Sequence, residues 1–420
     1  LPSLHGRIPL TFAFAATSLA VTTDAGQGVD VDAYVQVVLR SHPTARQVAA
    51  LENAAAAERK AVRVLPDPAF EYSRDHARRI DRPADGEGSR VSERSFSVTQ
   101  TIPWPGTWSA SKRAGERRAD ALRAEGTGAR WDLEIEARTA FARVLSTRGA
   151  LETARGAEAD ALALRDLTAK RAELGESREA DRIKAEVEWL RQQRIRRAAE
   201  REAETAEALA RTLAVEPLPR PLVLVGELPR PLPPTDAAAL RERMNRSNPR
   251  LLAAQAAVER EAALASVARR RRIPDLDVTW FHEDELDKEA SGFSFGVRVP
   301  LWNAQRGEIA RAEAASALAA VGAQRARLDL TAALERARQE LDVASAQAAI
   351  LEREILPAAT RSLELARFSY QEGETSLLDL LDAQRTFRET QSEAAASRLA
   401  LALALAEVQR LVGPDFSPWR

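Results

Sequence analysis

Asp379 and Asp382 lie three residues apart in this 420-residue chain, and their type and spacing suggest chemistry most directly. On a helix that spacing sets both carboxylates on one face, side by side. The same stretch has a second reading. Ser376-x-x-Asp379 is a capping-box pattern, in which Asp379 stabilises the start of a helix. The two roles are compatible. Little else in the chain offers reactive groups at useful spacing. His5, His42, His76 and His282 are scattered, and no two of them have helix-ligand spacing. There is no cysteine, which removes disulfides, thiolate catalysis and thiolate metal sites and fits an oxidising compartment. With Met244 as the single methionine, there is no relay for soft metals. No P-loop, dinucleotide-binding glycine fingerprint or nucleophile elbow occurs. The expectation is a protein that is not an enzyme and has no cofactor, no resident metal and no catalytic residues.

The elements that must position the aspartate pair are long helices. Charged residues make up 29% of the chain, with 61 basic and 62 acidic side chains intermixed to a net charge of −1. That mixture points to solvated helical faces rather than to nucleic acid or an anionic surface. No proline interrupts Gly106 to Ala172, and Pro357 alone interrupts Ala304 to Gln371. Runs of that length, each about 100 Å at the helical rise, imply coiled-coil packing. One seam can be read directly, alternating steps of four and three: Leu330, Leu334, Ala337, Leu341, Ala344, Ala348, Leu351, Ile355.

The chain is internally duplicated. Ser41-His42-Pro43 opens one copy and Ser247-Asn248-Pro249 the other. Leu65-Pro66-Asp67 then matches Ile273-Pro274-Asp275, and the glycine turns at Gly175 and Gly373 match after the long helices. Each copy carries a pair of strands with a period of two, predicted at 66–78, 94–103, 274–284 and 291–300. Phe70 and Tyr72, then Phe96, Val98 and Ile102, then Leu276, Val278 and Trp280, then Phe293, Phe295 and Val297 take one parity; polar residues take the other. The pattern suits either a half-buried soluble sheet or a barrel wall between lipid and water. Trp104, Trp108, Trp280 and Trp302 read as aromatics near strand ends. Ala77–Glu93 and Glu283–Ser291 read as polar outward loops.

These features resemble the TolC family of outer-membrane efflux proteins. Carrying the resemblance are Pro66-Asp67-Pro68, the run Gln100 to Gly106, Val299-Pro300-Leu301-Trp302, and the run from Phe368 through Tyr370, Gly373, Asp379 and Asp382 to Gln384. The junction around Pro103, Trp104, Pro105 and Gly106 is similar to members serving heavy-metal cation efflux. The resemblance implies a mainly α fold with a small β part: duplicated helical hairpins forming a coiled-coil α-barrel, plus four strands per protomer in a trimeric twelve-stranded transmembrane β-barrel. It implies a homotrimer in the bacterial outer membrane that contacts its lipid and extends into the periplasm. Partners would be a periplasmic adaptor at tips Gly175 and Gly373 and an inner-membrane pump of the resistance-nodulation-division type or another exporter. By the same resemblance Asp379 and Asp382 sit where members narrow the periplasmic mouth, and three protomers would converge six carboxylates that favour cations and raise one another's pKa. Asp181 and Tyr370 match positions that help hold the mouth closed, whereas Thr375 departs from members with a basic residue there.

The expected division is a partial signal peptide at 1–25, a first repeat at 26–215 with long helices 106–172 and 177–215, a proline-rich equatorial segment at 216–235, and a second repeat at 236–420 with long helices 303–371 and 376–412. The signal reading rests on His5 and Arg7 before an apolar stretch from Ile8 to Val21, with cleavage near Ala20 or Ala25; a buried N-terminal helix is the other reading. The expected function is the exit duct of a tripartite efflux system, passing what its pump delivers, heavy-metal cations among the candidates. A duct for type I protein secretion or multidrug export is the alternative within this fold, and a soluble periplasmic coiled-coil scaffold or adaptor is the alternative outside it.

Overall fold

A computed structural model describes residues 28–61, 65–78, 90–175, 177–215, 218, 222–233, 236–285, 288–299, 305–414 and 416. The signal reading and Trp302 lie outside them. The first copy runs α1 (Val31–Ser41), α2 (Pro43–Ala61), β1 (Ala69–Arg78), β2 (Arg90–Ile102), α3 (Pro105–Glu173) and α4 (Glu179–Ala214). The second repeats that order as α5 (Ala237–Ser247), α6 (Pro249–Arg270), β3 (Leu276–Glu285), β4 (Lys288–Val297), α7 (Arg306–Ile350), α8 (Leu356–Gln371) and α9 (Leu377–Val412). Among the described residues no helix is long and apolar enough to cross a membrane.

The motifs that open the copies have a physical task. The last carbonyls of a helix have no partner within it. Ser247 Oγ donates to Val412 O at 3.0 Å and Asn248 Nδ2 to Leu411 O at 2.7 Å, closing α9 from the start of its own copy. Ser41 Oγ does the same for Ala214 O at the end of α4. Asn248 also caps α6, its Oδ1 accepting from Leu251 N at 2.9 Å. Between the copies, Val29 and the strand-like residues around Leu224 exchange backbone bonds of 2.8 and 3.0 Å, and Ser345 Oγ of α7 donates to Leu232 O at 2.8 Å. The linker therefore lies against the helices near mid-length, over a core of Tyr34, Phe141, Val144, Leu222 and Leu224.

The seam read from α7 is buried from Leu330 to Ala348, packed against Leu401, Leu405 and Val408 of α9. Beyond Ala348 the expectation fails. Leu351 is only partly covered and Ile355 is exposed. Residues Leu351–Ile355 form a turn of π-helix immediately before Pro357 in the first turn of α8. Continuing the four-three alternation would bury residues 358 and 362, yet Ala359 and Leu363 are the buried ones. The π turn inserts one residue and shifts the seam by one. Proline lacks the N–H that residue 353 would accept and crowds the preceding turn, and widening that turn relieves both defects. The single run expected at 303–371 is thus two helices in different registers.

The four strands form one antiparallel sheet in the order β1-β2-β3-β4. Several boundaries differ from expectation. Arg90 to Glu93, read as loop, extend β2, with Glu93 opposite Asp75 and Ser92 opposite His76. Likewise β3 and β4 pair as far as Glu285 opposite Lys288, where a longer loop was expected. Charge does not end a ladder whose faces are both open. Proline does: β1 starts after Pro66 and Pro68, which cannot donate to it.

Candidate functional site

The sheet supplies the first half of the site. Register aligns Phe70, Val98, Trp280 and Phe293 across all four strands, and likewise Ile102, Leu276 and Val297 across three. Alternation then puts every apolar residue of the pattern on one face. That face is uncovered: Phe70, Tyr72, Phe293 and Phe295 are 63–71% exposed. An apolar surface of this extent, open in a single chain, marks contact with a partner or a membrane. The opposite face is knitted by polar pairs, Ser73 with Ser95 at 2.8 Å, Thr99 with Thr279 at 2.8 Å, and Thr101 donating to Asp277 at 2.6 Å. Trp280 is a correction to the sequence reading. It stands mid-strand, edge-on to Phe96 at 5.9 Å, rather than at an end. Trp104 and Trp108 do lie beyond the end of β2, 50% and 44% exposed.

The second half is the pair of hairpin turns at the far end of the long helices. Each turn needs a left-handed residue to reverse the chain, and Gly175 (φ 76°) and Gly373 (φ 78°) provide it. The following helices start differently. Ser376 caps α9 in a full capping box: its Oγ accepts from Asp379 N at 3.3 Å, while Asp379 Oδ2 accepts from Ser376 N at 3.1 Å and Ser376 Oγ at 2.7 Å. These bonds, that of the hydroxyl foremost, hold the Asp379 carboxyl below the usual aspartate range. In α4 the cap is Arg178, which offers no side-chain bond, so Asp181 in the equivalent position pairs instead with Lys184 at 3.6 Å. Asp379 and Asp382 are both exposed. Tyr370 is half-buried with Arg171 of the first hairpin 5.6 Å over its ring, and Thr375 Oγ1 is buried without a partner.

Sequence reasoning missed the groups that tie the two hairpins together above these tips. Arg388 of α9 meets Glu188 of α4 at 2.6 Å, with both side chains at most 17% exposed. Burial lowers the Arg388 pKa while Glu188 opposes that. Gln192 donates to the same carboxylate at 2.7 Å. Arg367 of α8 meets Asp160 of α3 at 2.6 Å, and these two side chains line a cleft of about 220 Å³ together with Arg388, Gln384 and Phe387. Partners 200 residues apart leave no local signal by which to pair them.

Comparison with known proteins agrees with this geometry. Residues 240–414 match the family model described as outer membrane efflux protein. The cobalt-zinc-cadmium resistance protein CzcC of Cupriavidus metallidurans is 27% identical over 304 residues, covering 71% of this chain and 72% of the relative. The MtrE outer membrane channel of Neisseria gonorrhoeae superposes with a TM-score of 0.72 at 19% identity, covering 91% of this chain and 89% of that one. The CmeC outer membrane channel of Campylobacter jejuni gives 0.71 at 16% identity, covering 91% and 85%. An apolar-faced sheet set on two matched helical hairpins has the fold of these channels, and the second copy carries the outer membrane efflux protein signature.

Proposed function

We propose that three copies of this chain assemble into a passive outer-membrane duct for heavy-metal cations, with twelve strands closing a barrel and the helices continuing it as a periplasmic tunnel. The observation that carries the duct is the sheet: a wide apolar face, a hydrogen-bonded polar face, and β1 and β4 at its edges. An open sheet cannot stand in lipid, so the edges of neighbouring protomers must pair. Exposed apolar stripes on α4 (Ile183, Val187, Leu190) and α7 (Leu318, Val321, Leu328) supply further surface for the same assembly. The repeats at 26–215 and 236–420 then each give one hairpin, joined by 216–235.

The Gly175 and Gly373 tips are proposed to meet a periplasmic adaptor, and an inner-membrane pump, of the resistance-nodulation-division type, supplies the energy. The duct performs no reaction. Similarity to a cobalt-zinc-cadmium resistance protein supports the cargo class, and the exposed Asp379–Asp382 pair at the tip of the second hairpin fits a mouth that admits cations. Asp181 and Tyr370 are proposed to line the same constriction.

Heat-sensitive trimers in outer-membrane fractions are expected; a soluble monomer in the periplasm would refute the assembly. In planar bilayers, Asp379→Ala with Asp382→Ala should raise conductance or weaken block by multivalent cations. Traces unchanged from the parent would leave the cap as the sole role of Asp379.

A further inference from the structure

We propose that the arginine run Arg269–Arg272 at the base of the sheet holds the phosphate headgroups of anionic phospholipid in the periplasmic leaflet. The inference rests on the outer-membrane placement of the sheet and adds a specific partner to it. All four side chains are exposed. Arg269 lies 3.8 Å from Glu313, but Arg270, Arg271 and Arg272 have no carboxylate at ion-pair distance among the described residues. Asp275, three residues on, accepts from Trp104 N at 2.9 Å.

Parity and contacts put Arg270 on the apolar side. Trp104 follows Ile102 by two residues, continuing the uncovered face of β2, and Trp108 follows one helical turn later, its N–H bonded to Trp104 O at 2.9 Å. Arg270 sits beside Trp104: a Cβ on Gly106 would stand 2.9 Å from Arg270 Nη1 and 3.4 Å from Trp104 Cδ1. Thr107 Oγ1 donates to Arg270 O at 3.2 Å, fixing α6 against the start of α3. The exposed Lys112 lies one further turn along α3, about 12 Å from Trp104 at the helical rise. Moving off the sheet, the surface passes from Phe, Val and Ile to indole and then to guanidinium and ammonium. A lipid leaflet presents the same order: hydrocarbon, interface, phosphate.

The duplication argues that this charge is not required by the fold. In the first copy the four residues before Leu65-Pro66 are Ala61, Val62, Arg63 and Val64, where the second copy has four arginines before Ile273-Pro274. α2 and β1 of the first copy form without such a run.

The test is native mass spectrometry of the full chain released from bilayers of phosphatidylethanolamine and phosphatidylglycerol. The parent should retain phosphatidylglycerol preferentially, and high salt should erode that preference. A basic side chain near a leaflet surface contributes about fivefold in partitioning. Arg270→Gln, Arg271→Gln and Arg272→Gln together should therefore cut the preference by at least about tenfold. Arg194→Gln with Arg197→Gln, on exposed positions of α4, should leave it unchanged. A chain that enters bilayers and conducts, yet retains both lipids equally, overturns the headgroup site alone. Displacement by inorganic phosphate irrespective of acyl chains overturns it in favour of a soluble anion. A chain that remains in the aqueous phase overturns the outer-membrane reading and the site with it.

Discussion

Asp379 caps α9 and, in the proposed duct, also faces the mouth. As the N3 residue of a capping box it satisfies the Ser376 N–H and hydroxyl, and that bonding favours its charged form. A carboxyl with a lowered folded-state pKa contributes stability that is complete above the unfolded value, about 4. The contribution is lost as pH falls through the lower folded value. Hydrogen exchange in the first turn of α9 should accordingly rise below pH ~4, and Asp379→Asn should flatten that dependence. In the proposed trimer, convergence of three such carboxylates would work against the cap, so a weaker acid response in the trimer than in a monomeric variant is the mark of crowding at the mouth. Arg388 and Glu188 illustrate a different balance. Their pair is buried between hairpins, so Glu188→Gln leaves an uncompensated guanidinium and should cost about 3 kcal/mol in denaturant unfolding. Replacing both by leucine should be close to neutral, because the desolvation of two charges is removed along with their attraction.

At the scale of elements, the two hairpins share a plan and differ in one device. Each has a long helix, a glycine turn and a 36-residue return helix, but only the second is interrupted by the π turn at Leu351–Ile355. The turn reconciles two apolar registers, Leu330 to Ala348 on one side and Ala359, Leu363 on the other. Since the registers differ by one residue, Pro357→Ala alone should leave the π turn in place. Deleting Glu354 in the Pro357→Ala background should give one continuous α-helix and an assembled trimer. The same deletion placed between Leu334 and Leu341 should abolish assembly, since it rotates half of a buried seam out of contact by about 100°. Thermal melts and seminative gels separate these outcomes. The predicted strand ends near Glu93 and Glu283 erred for a related reason. Polar residues there read as loop because alternation fades, whereas the ladder is held by backbone bonds that side-chain polarity does not report.

For the whole molecule, the face of the sheet decides where the chain can go. Phe295 and Ser294 are neighbours in sequence on opposite faces, one 71% exposed toward the proposed lipid and one opposite Thr279 on the polar side. An arginine on the lipid side of a barrel costs roughly 2–4 kcal/mol near the bilayer midplane. Phe295→Arg should therefore deplete trimers from outer-membrane fractions, while Ser294→Arg should assemble normally and shift ion selectivity toward anions. Equal effects of the two substitutions would contradict the assigned faces.

Much of this molecule was legible one element at a time. Period two in four segments, a seam through Ala348, glycine at both turns and a capping box at Ser376 each reflect a local rule that repeats along the chain, and repetition is visible in sequence. The duplication amplified it by stating each rule twice. Tertiary structure alone decided what lies across from what. Register merged four separate apolar stripes into one face, the π turn moved the seam by a residue that no periodicity announces, and Glu188 found Arg388 across two hairpins. These outcomes depend on packing between segments far apart in the chain, where a one-residue slip changes every contact while leaving the composition of each segment the same.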